Sequence, residues 1–356
     1  MNFPIFDSIS SQEREHLNSN GYRMLRQYLN SSEKDINYDW HRSNLLGEIY
    51  ENTIYEKLLE WACVEQEVTD FVLKGPYVGL SSSNDSGFRY DRNRQIYYYS
   101  DGETIAEFDA MFRIGQCQYF IEITDTNSDL AIDALKYDIQ RKTNVLSLIF
   151  SGQVACWIIT TYEKEISLAE LPGVVVMKTQ KFAFDLDLKS LLKPNEIKTI
   201  NPPSFSKFIS VGGLSYHQFS YFALLDNIQK EVGGMDCDHV RQKLPSLILP
   251  YLGLVERVFL GKMPGGDFET LIKPSLKEGT VISQVYLALK VKSLRSWALT
   301  IYLLDSSGVL YEMEGSGTKT RMIEPRKRST RDVRYLDSRL KRLDVKQAQE
   351  YLSSFR

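Results

Sequence analysis

Two apolar segments of this chain carry acids where an ordinary strand would carry none. They read Ala106-Glu107-Phe108-Asp109-Ala110-Met111-Phe112 and Tyr119-Phe120-Ile121-Glu122-Ile123-Thr124. Strand alternation puts Glu107 and Asp109 on one face of the first, with Phe108 and Ala110 on the other. In the second, Glu122 shares a face with Phe120 and Thr124. A carboxylate inside an apolar strand is costly unless it is paired, hydrogen-bonded or bound to a metal. Two neighbouring strands, each with such an acid, can converge on one divalent cation. Hard oxygen ligands of this kind suit Mg²⁺ or Mn²⁺.

Two helical patterns add further candidates. In the first, about Asn44 to Glu65, helical periodicity aligns Gly47, Tyr50, Ile54, Leu58 and Trp61 on one face. Glu51 falls at the edge of that stripe and Glu48 further round; a solvated helix carboxylate is the alternative reading of Glu51. In the second, about Leu130 to Leu148, the apolar face is Ala131, Leu135, Ile139, Leu146 and Ile149. Lys142 falls near the middle of that face, whereas Lys136 and Arg141 fall outside it. An inward lysine needs an anionic partner, such as Glu122 or a bound phosphate. Alternatively its ammonium snorkels past the helix end.

The elements that must position these residues follow from the same pattern. Strands are expected at Phe88 to Tyr99, Ile105 to Ile114 and Gln118 to Thr124, with Gly115 turning a hairpin between the last two. After the second helix come Ala155 to Thr161 and Gly173 to Met177. The order is helix, three strands, helix, strand, strand. That order defines an α/β layer pair in which the second helix crosses over between strands of one sheet. Ser81 to Ser86 reads as a surface loop, and Asn201-Pro202-Pro203 as a boundary between domains 1–200 and 201–356. The second domain reads as α+β. Its expected helices are Tyr216 to Glu231, Asp238 to Leu260 (broken or kinked by Pro245 and Pro250) and Arg331 to Ser353. Its expected strands are Val281 to Val291, Trp297 to Leu304 and Val309 to Glu314, with a hairpin turn at Asp305-Ser306-Ser307-Gly308.

Glu107-Phe108-Asp109 followed by Glu122-Ile123-Thr124 resembles the E-h-D … E-x-K strand pair of the PD-(D/E)XK nuclease superfamily, over about Gly47 to Thr161. The resemblance implies a restriction-endonuclease-like mixed sheet flanked by helices. It also implies a metal-dependent DNA endonuclease that hydrolyses phosphodiester bonds with Mg²⁺ or Mn²⁺. In the family the aspartate and glutamate hold the metal, the lysine positions or activates water, and an acid on the preceding helix often joins them. Gly47 with Glu51 four residues on matches the family's helix, with Glu48 in reserve. Thr124 stands where the family has lysine, and some members carry that lysine on the following helix, which points to Lys142. The implied catalytic set is Glu51, Asp109, Glu122 and Lys142, and the implied metal set is Asp109, Glu122, Glu51 and Glu107. The departure at Thr124 leaves a second reading open, a catalytically inactive nuclease fold that binds nucleic acid or a protein partner. A third is that the acids form internal salt bridges and the likeness is chance.

Composition narrows the classes. The chain has 356 residues, 43% hydrophobic and 25% charged, an ordinary globular balance. No apolar run approaches a bilayer span, and Met1 to Gln12 lacks the order of a secretory signal, so a cytoplasmic protein is expected. Cys63, Cys117, Cys156 and Cys237 form no CxxC pair and read as buried reduced thiols. Net charge is only −3, but Lys319 to Lys346 is rich in arginine and lysine, so the remainder is acidic. That asymmetry fits a DNA-facing arm on the second domain, the alternative being an exposed mixed-charge helix with Asp332, Asp337 and Asp344 interleaved; a homodimer or protein partner through the same domain is a further option. Tyr97-Tyr98-Tyr99 with Arg89, Arg92 and Arg94 combines stacking and basic groups, as nucleic-acid surfaces do and ordinary sheets also do. Asp236-Cys237-Asp238-His239 is too tightly spaced for one ion, and Asp238 is expected to cap a helix. The histidines form no triad and no phosphate-loop glycine motif occurs.

Overall fold

A computed structural model describes residues 15–17, 19–20, 22, 24–77, 86–91, 95–124, 129–161, 171–179, 200–204, 206–272, 276, 278–314 and 331–355, without the side chains of 129–131, 314 and 331. Most of the Ser81 to Ser86 loop, Arg92, Arg94 and the basic residues 319–330 lie outside that set. The chain divides into two compact units, 1–219 and 220–356. The division falls beyond Pro202-Pro203 because β10 (Phe208–Ile209) pairs in parallel with β2 (Phe71–Val72) and so belongs to the first unit.

The first unit is mixed α/β. Helix α1 (Tyr38–Val64) starts six residues earlier than its pattern suggests, with Asp39 in its first turn. Its stripe of Tyr50, Ile54, Leu58 and Trp61 is buried in one core with Phe112, Ile121 and Trp157. Trp61 meets Phe112 and Trp157 with ring centroids 5.4 Å apart in each case. Each aliphatic side chain so buried contributes roughly 1.5–3 kcal/mol, so this face, rather than helix propensity, fixes where α1 lies.

Among the described residues the main sheet has five strands in the order β1 (Val68–Thr69), β6 (Ala110–Ile114), β7 (Cys117–Thr124), β8 (Gln153–Thr160) and β9 (Val174–Lys178). β1, β6 and β7 run antiparallel, while β7, β8 and β9 are parallel. Gly115, at φ +58°, turns the β6–β7 hairpin. Helix α2 (Asp129–Ile149) is the crossover that parallel β7 and β8 require. It buries Ile139, Lys142, Leu146 and Ile149, the face expected of it.

Two expected strands prove to be two strands each. Phe88 to Tyr99 folds back on itself as β3 (Gly87–Tyr90) and β4 (Ile96–Ser100). Ile105 to Ile114 breaks at Asp109: β5 (Glu103–Phe108) joins β3 and β4 in a separate three-stranded antiparallel sheet, and β6 joins the main one. Glu107 and Asp109 therefore do not share the face of one strand. Alternation holds only while one ladder continues, and the chain changes ladders between them.

The second unit holds a four-stranded antiparallel sheet, β11 (Arg257–Pro264) to β14 (Leu310–Glu314), with β12 (Ile282–Ser293) and β13 (Ser296–Asp305) at its centre. Helix α3 (Tyr221–Val232) precedes it. The helix expected from Asp238 to Leu260 is instead α4 (Cys237–Ile248), a 3₁₀ turn at Leu249–Tyr251 carrying Pro250, and then strand β11. Pro250 ends the helical ladder, and Val258-Phe259-Leu260 suits a strand. Asp236, not Asp238, caps α4: its side chain accepts from His239 N at 3.0 Å and lies 2.6 Å from His239 Nδ1. The expected terminal helix is also two, α5 (Arg331–Leu336) and α6 (Val345–Ser354). Asp344 and Gln347 close a capping box that starts α6 afresh.

Candidate active site

The break at Asp109 creates the site. Ala110 pairs with Ile121 in the β6–β7 ladder, so one step further the ladder stops opposite Glu122. Asp109 Oδ2 accepts from Ile123 N at 2.7 Å, closing the strand end with a carboxylate in place of a carbonyl. Burial first, then the charges of Glu51 and Glu122, push the Asp109 carboxyl well above the usual range, while Lys142 and Lys74 pull it back. Four of these groups come from α1, β7, α2 and the segment after β2, and they converge electrostatically on the fifth.

Glu122 is buried and bound by Lys142, whose Nζ lies 2.6 Å from Oε1. Burial pushes the Glu122 carboxyl up to about 7, with Lys142 opposing that rise and Asp138 and Glu107 adding to it. The same ammonium lies 2.9 Å from Asp138 Oδ2, one helical turn back on α2. Burial works against a charged Lys142, but Glu122, Asp138 and Asp109 together hold its pKa above the ordinary lysine value. The inward lysine is thus paired inside the fold and does not snorkel out.

Glu51 has a different partner from any the sequence suggests. Lys74 Nζ donates to its Oε1 at 2.6 Å and to Gln95 Oε1 at 2.9 Å, and Gln95 Nε2 reaches Glu51 Oε1 at 3.1 Å. Lys74 is only 1% exposed, its ammonium 4.9 Å from the centroid of the Tyr55 ring. The Tyr55 hydroxyl accepts from Lys74 N at 2.9 Å and fixes the backbone that delivers it. Neither Lys74 nor Gln95 stands out in the sequence pattern. The one local signal is a lysine directly after the apolar run Phe71-Val72-Leu73.

The other candidates are placed differently, although the charge of Glu107 still reaches Glu122. Glu48 is buried, and its Oε2 accepts from Met24 N at 3.3 Å. Glu107 belongs to the smaller sheet, opposite Tyr97. Thr124 pairs in register with Thr160 on β8 and brings no cation. Tyr98 is turned into the core against Phe88, whereas the Arg89 guanidinium lies 3.1 Å from the centroid of the Tyr99 ring. All four cysteines are free thiols, Cys156 and Cys237 buried and Cys63 and Cys117 half-buried.

Among the described residues no three His, Cys, Asp or Glu side chains cluster closely enough to form a metal-binding group. Lys142 bridges Glu122 and Asp138, and Lys74 holds Glu51. The donor chemistry nonetheless suits a hard cation: Mg²⁺ keeps several waters and commonly takes one or two carboxylates plus substrate oxygens. Asp109, the residue before β6, and Glu122, on the neighbouring β7, each have one oxygen committed to an internal donor. Comparison with protein-family models, with curated proteins and with solved structures finds no match to this chain. Among the described residues no helix is long and apolar enough to cross a membrane.

Proposed function

We propose that the first unit is a restriction-endonuclease-like core and that the chain is a metal-dependent DNA endonuclease. The observation that carries this reading is the buried bond between Lys142 Nζ and Glu122 Oε1. It supplies, from the following helix, the ammonium that Thr124 cannot. The order α1, β6, β7, α2, β8 supports it further, with Asp109 just before β6 and Glu122 on the adjacent β7. In this reading Asp109 and Glu122 would hold Mg²⁺ or Mn²⁺. Bound there, the ion supplies a water of lowered pKa and neutralises charge on the phosphoryl oxygens. Ile123 N–H orients the Asp109 carboxylate, and Lys142 brings positive charge to the reacting phosphate. The basic C-terminal segment would contact the DNA backbone, a salt-sensitive interaction.

Cleavage of duplex, branched and single-stranded DNA with Mg²⁺ or Mn²⁺ tests the proposal. Loss of cleavage in Asp109→Ala is the expected result, and equal activity of the two proteins would exclude this site.

A second reading rests on the lysines. Glu51 and Glu122 each already bear an internal ammonium, as in a fold that has given up its cation and only binds DNA or a protein. Salt-sensitive DNA binding without any Mn²⁺ binding in calorimetry would favour it.

A further inference from the structure

The charges that alternate along the sequence after Arg331 are sorted by the fold. Asp337 Oδ1 accepts from the Tyr286 hydroxyl at 2.8 Å and lies 3.2 Å from Lys262 Nζ, so the sheet engages it. Asp344 Oδ1 accepts from Gln347 N at 2.8 Å as the cap of α6. Arg334, Arg339 and Lys341, by contrast, are exposed. These two acids serve the fold and leave the cations beside them at the surface.

Two of those cations join a third along α3. Tyr335, 40% exposed, stacks on Phe222 of α3 with ring centroids 4.0 Å apart and planes 13° apart. The Arg339 guanidinium lies 4.3 Å from the Tyr335 centroid and feels the charge of Asp226, one turn along α3 from Phe222. Lys230, a turn further on, bridges Asp226 at 2.7 Å with its own side chain 64% exposed. Past the helix end, a Cβ at Gly234 would meet Lys341 Cδ at 3.3 Å. One stripe thus carries a guanidinium backed by an aromatic ring and two ammonium groups, against one carboxylate. The 12 residues of α3 span about 18 Å, roughly five nucleotides at ~3.4 Å each.

We propose that this ridge is a track for single-stranded DNA, in which Arg339 on Tyr335 stacks an unpaired base while Lys230 and Lys341 take the flanking phosphates. A flat guanidinium offers a face to a base that has left its stack, whereas a base inside a duplex presents only its edge. The inference rests on the DNA-binding part of the reading above and deepens it by naming the form of the strand. It requires neither a bound cation nor cleavage.

Fluorescence anisotropy of the full chain in EDTA, with a labelled single-stranded oligonucleotide and with its duplex, tests it. The single strand should bind more tightly, with log Kd rising against log salt at a slope of about 2 for three phosphate contacts. Lys230→Gln and Lys341→Gln should each lower that slope by about 0.7. Arg339→Lys keeps the charge and loses the plane, so the slope should hold while binding weakens about 5- to 150-fold. All three side chains are exposed, and an unchanged melting temperature confirms that the variants fold. A duplex bound as tightly as the single strand, or Arg339→Lys binding like the wild type, overturns the inference. So does wild-type affinity in the triple variant Lys230→Gln, Arg339→Gln, Lys341→Gln. Any of these leaves the nuclease reading to its own test with Asp109→Ala. A wild type that binds the single strand through these residues and cleaves nothing removes the nuclease reading alone.

Discussion

Lys142 Nζ donates to Glu122 Oε1 across 2.6 Å, joining a strand to the helix that follows it, and both side chains are buried. Each is the other's reason for being inside. The pair links a stability argument to a functional one, because any ion bound at Glu122 must share the carboxylate with Lys142 or displace it toward Asp138.

Removing one partner is therefore expensive. Lys142→Met should destabilise the first unit by about 3 kcal/mol, the cost of stranding a buried charge. The double variant Lys142→Met with Glu122→Leu should recover most of that loss. Urea unfolding measures both, and a double variant no more stable than the single one would contradict the pairing.

The pH dependence has a definite sign. Burial pushes the Glu122 carboxyl from 4.5 up to about 7, against the pull of Lys142. A folded-state value above the unfolded one contributes stability that is complete below about 4.5 and is lost as pH rises to about 7. Asp109 is raised as well, so it acts in the same direction. The stability of the wild type relative to Glu122→Gln should accordingly fall between those pH values. A difference that stays flat or rises across them would contradict the burial argument.

Asp109→Asn separates function from folding. Asparagine keeps a carbonyl oxygen to accept from Ile123 N, a bond of 2.7 Å in the wild type, and it removes a buried acid crowded by Glu51 and Glu122. The melting temperature should hold or rise while the proposed cleavage is lost, the trade-off seen when a site holds destabilising charge. A clear drop in melting temperature would show that the carboxylate itself supports the fold.

Gly47, paired with Glu51 in the family resemblance, has no steric need to be glycine. A Cβ there meets nothing within 4 Å. Gly47→Ala should stabilise α1 by roughly 0.5–1 kcal/mol, measured as a rise in the urea midpoint. A loss of stability would mean that the helix approaches another surface at this point.

Sequence alone determined what depends on neighbours along the chain. The stripe on α1, the Gly115 hairpin and the inward direction of Lys142 follow from periods of 3.6 and 2 and from glycine's backbone freedom, all local properties. It left open whether Lys142 meets Glu122, a phosphate or solvent, and the fold chose Glu122. Only the tertiary structure decided that the chain leaves one sheet for another at Asp109, so that Glu107 and Asp109 part company. The same holds for Lys74 and Gln95, 23 and 44 residues from Glu51 along the chain. In the second unit, the end of the run to Leu260 reads as helix by its spacing and becomes part of β11, which β12 offers a ladder. Hydrogen-bond ladders and buried ion pairs are contracts between segments distant in sequence. Their energies arise only once those segments have met, and no local period records them.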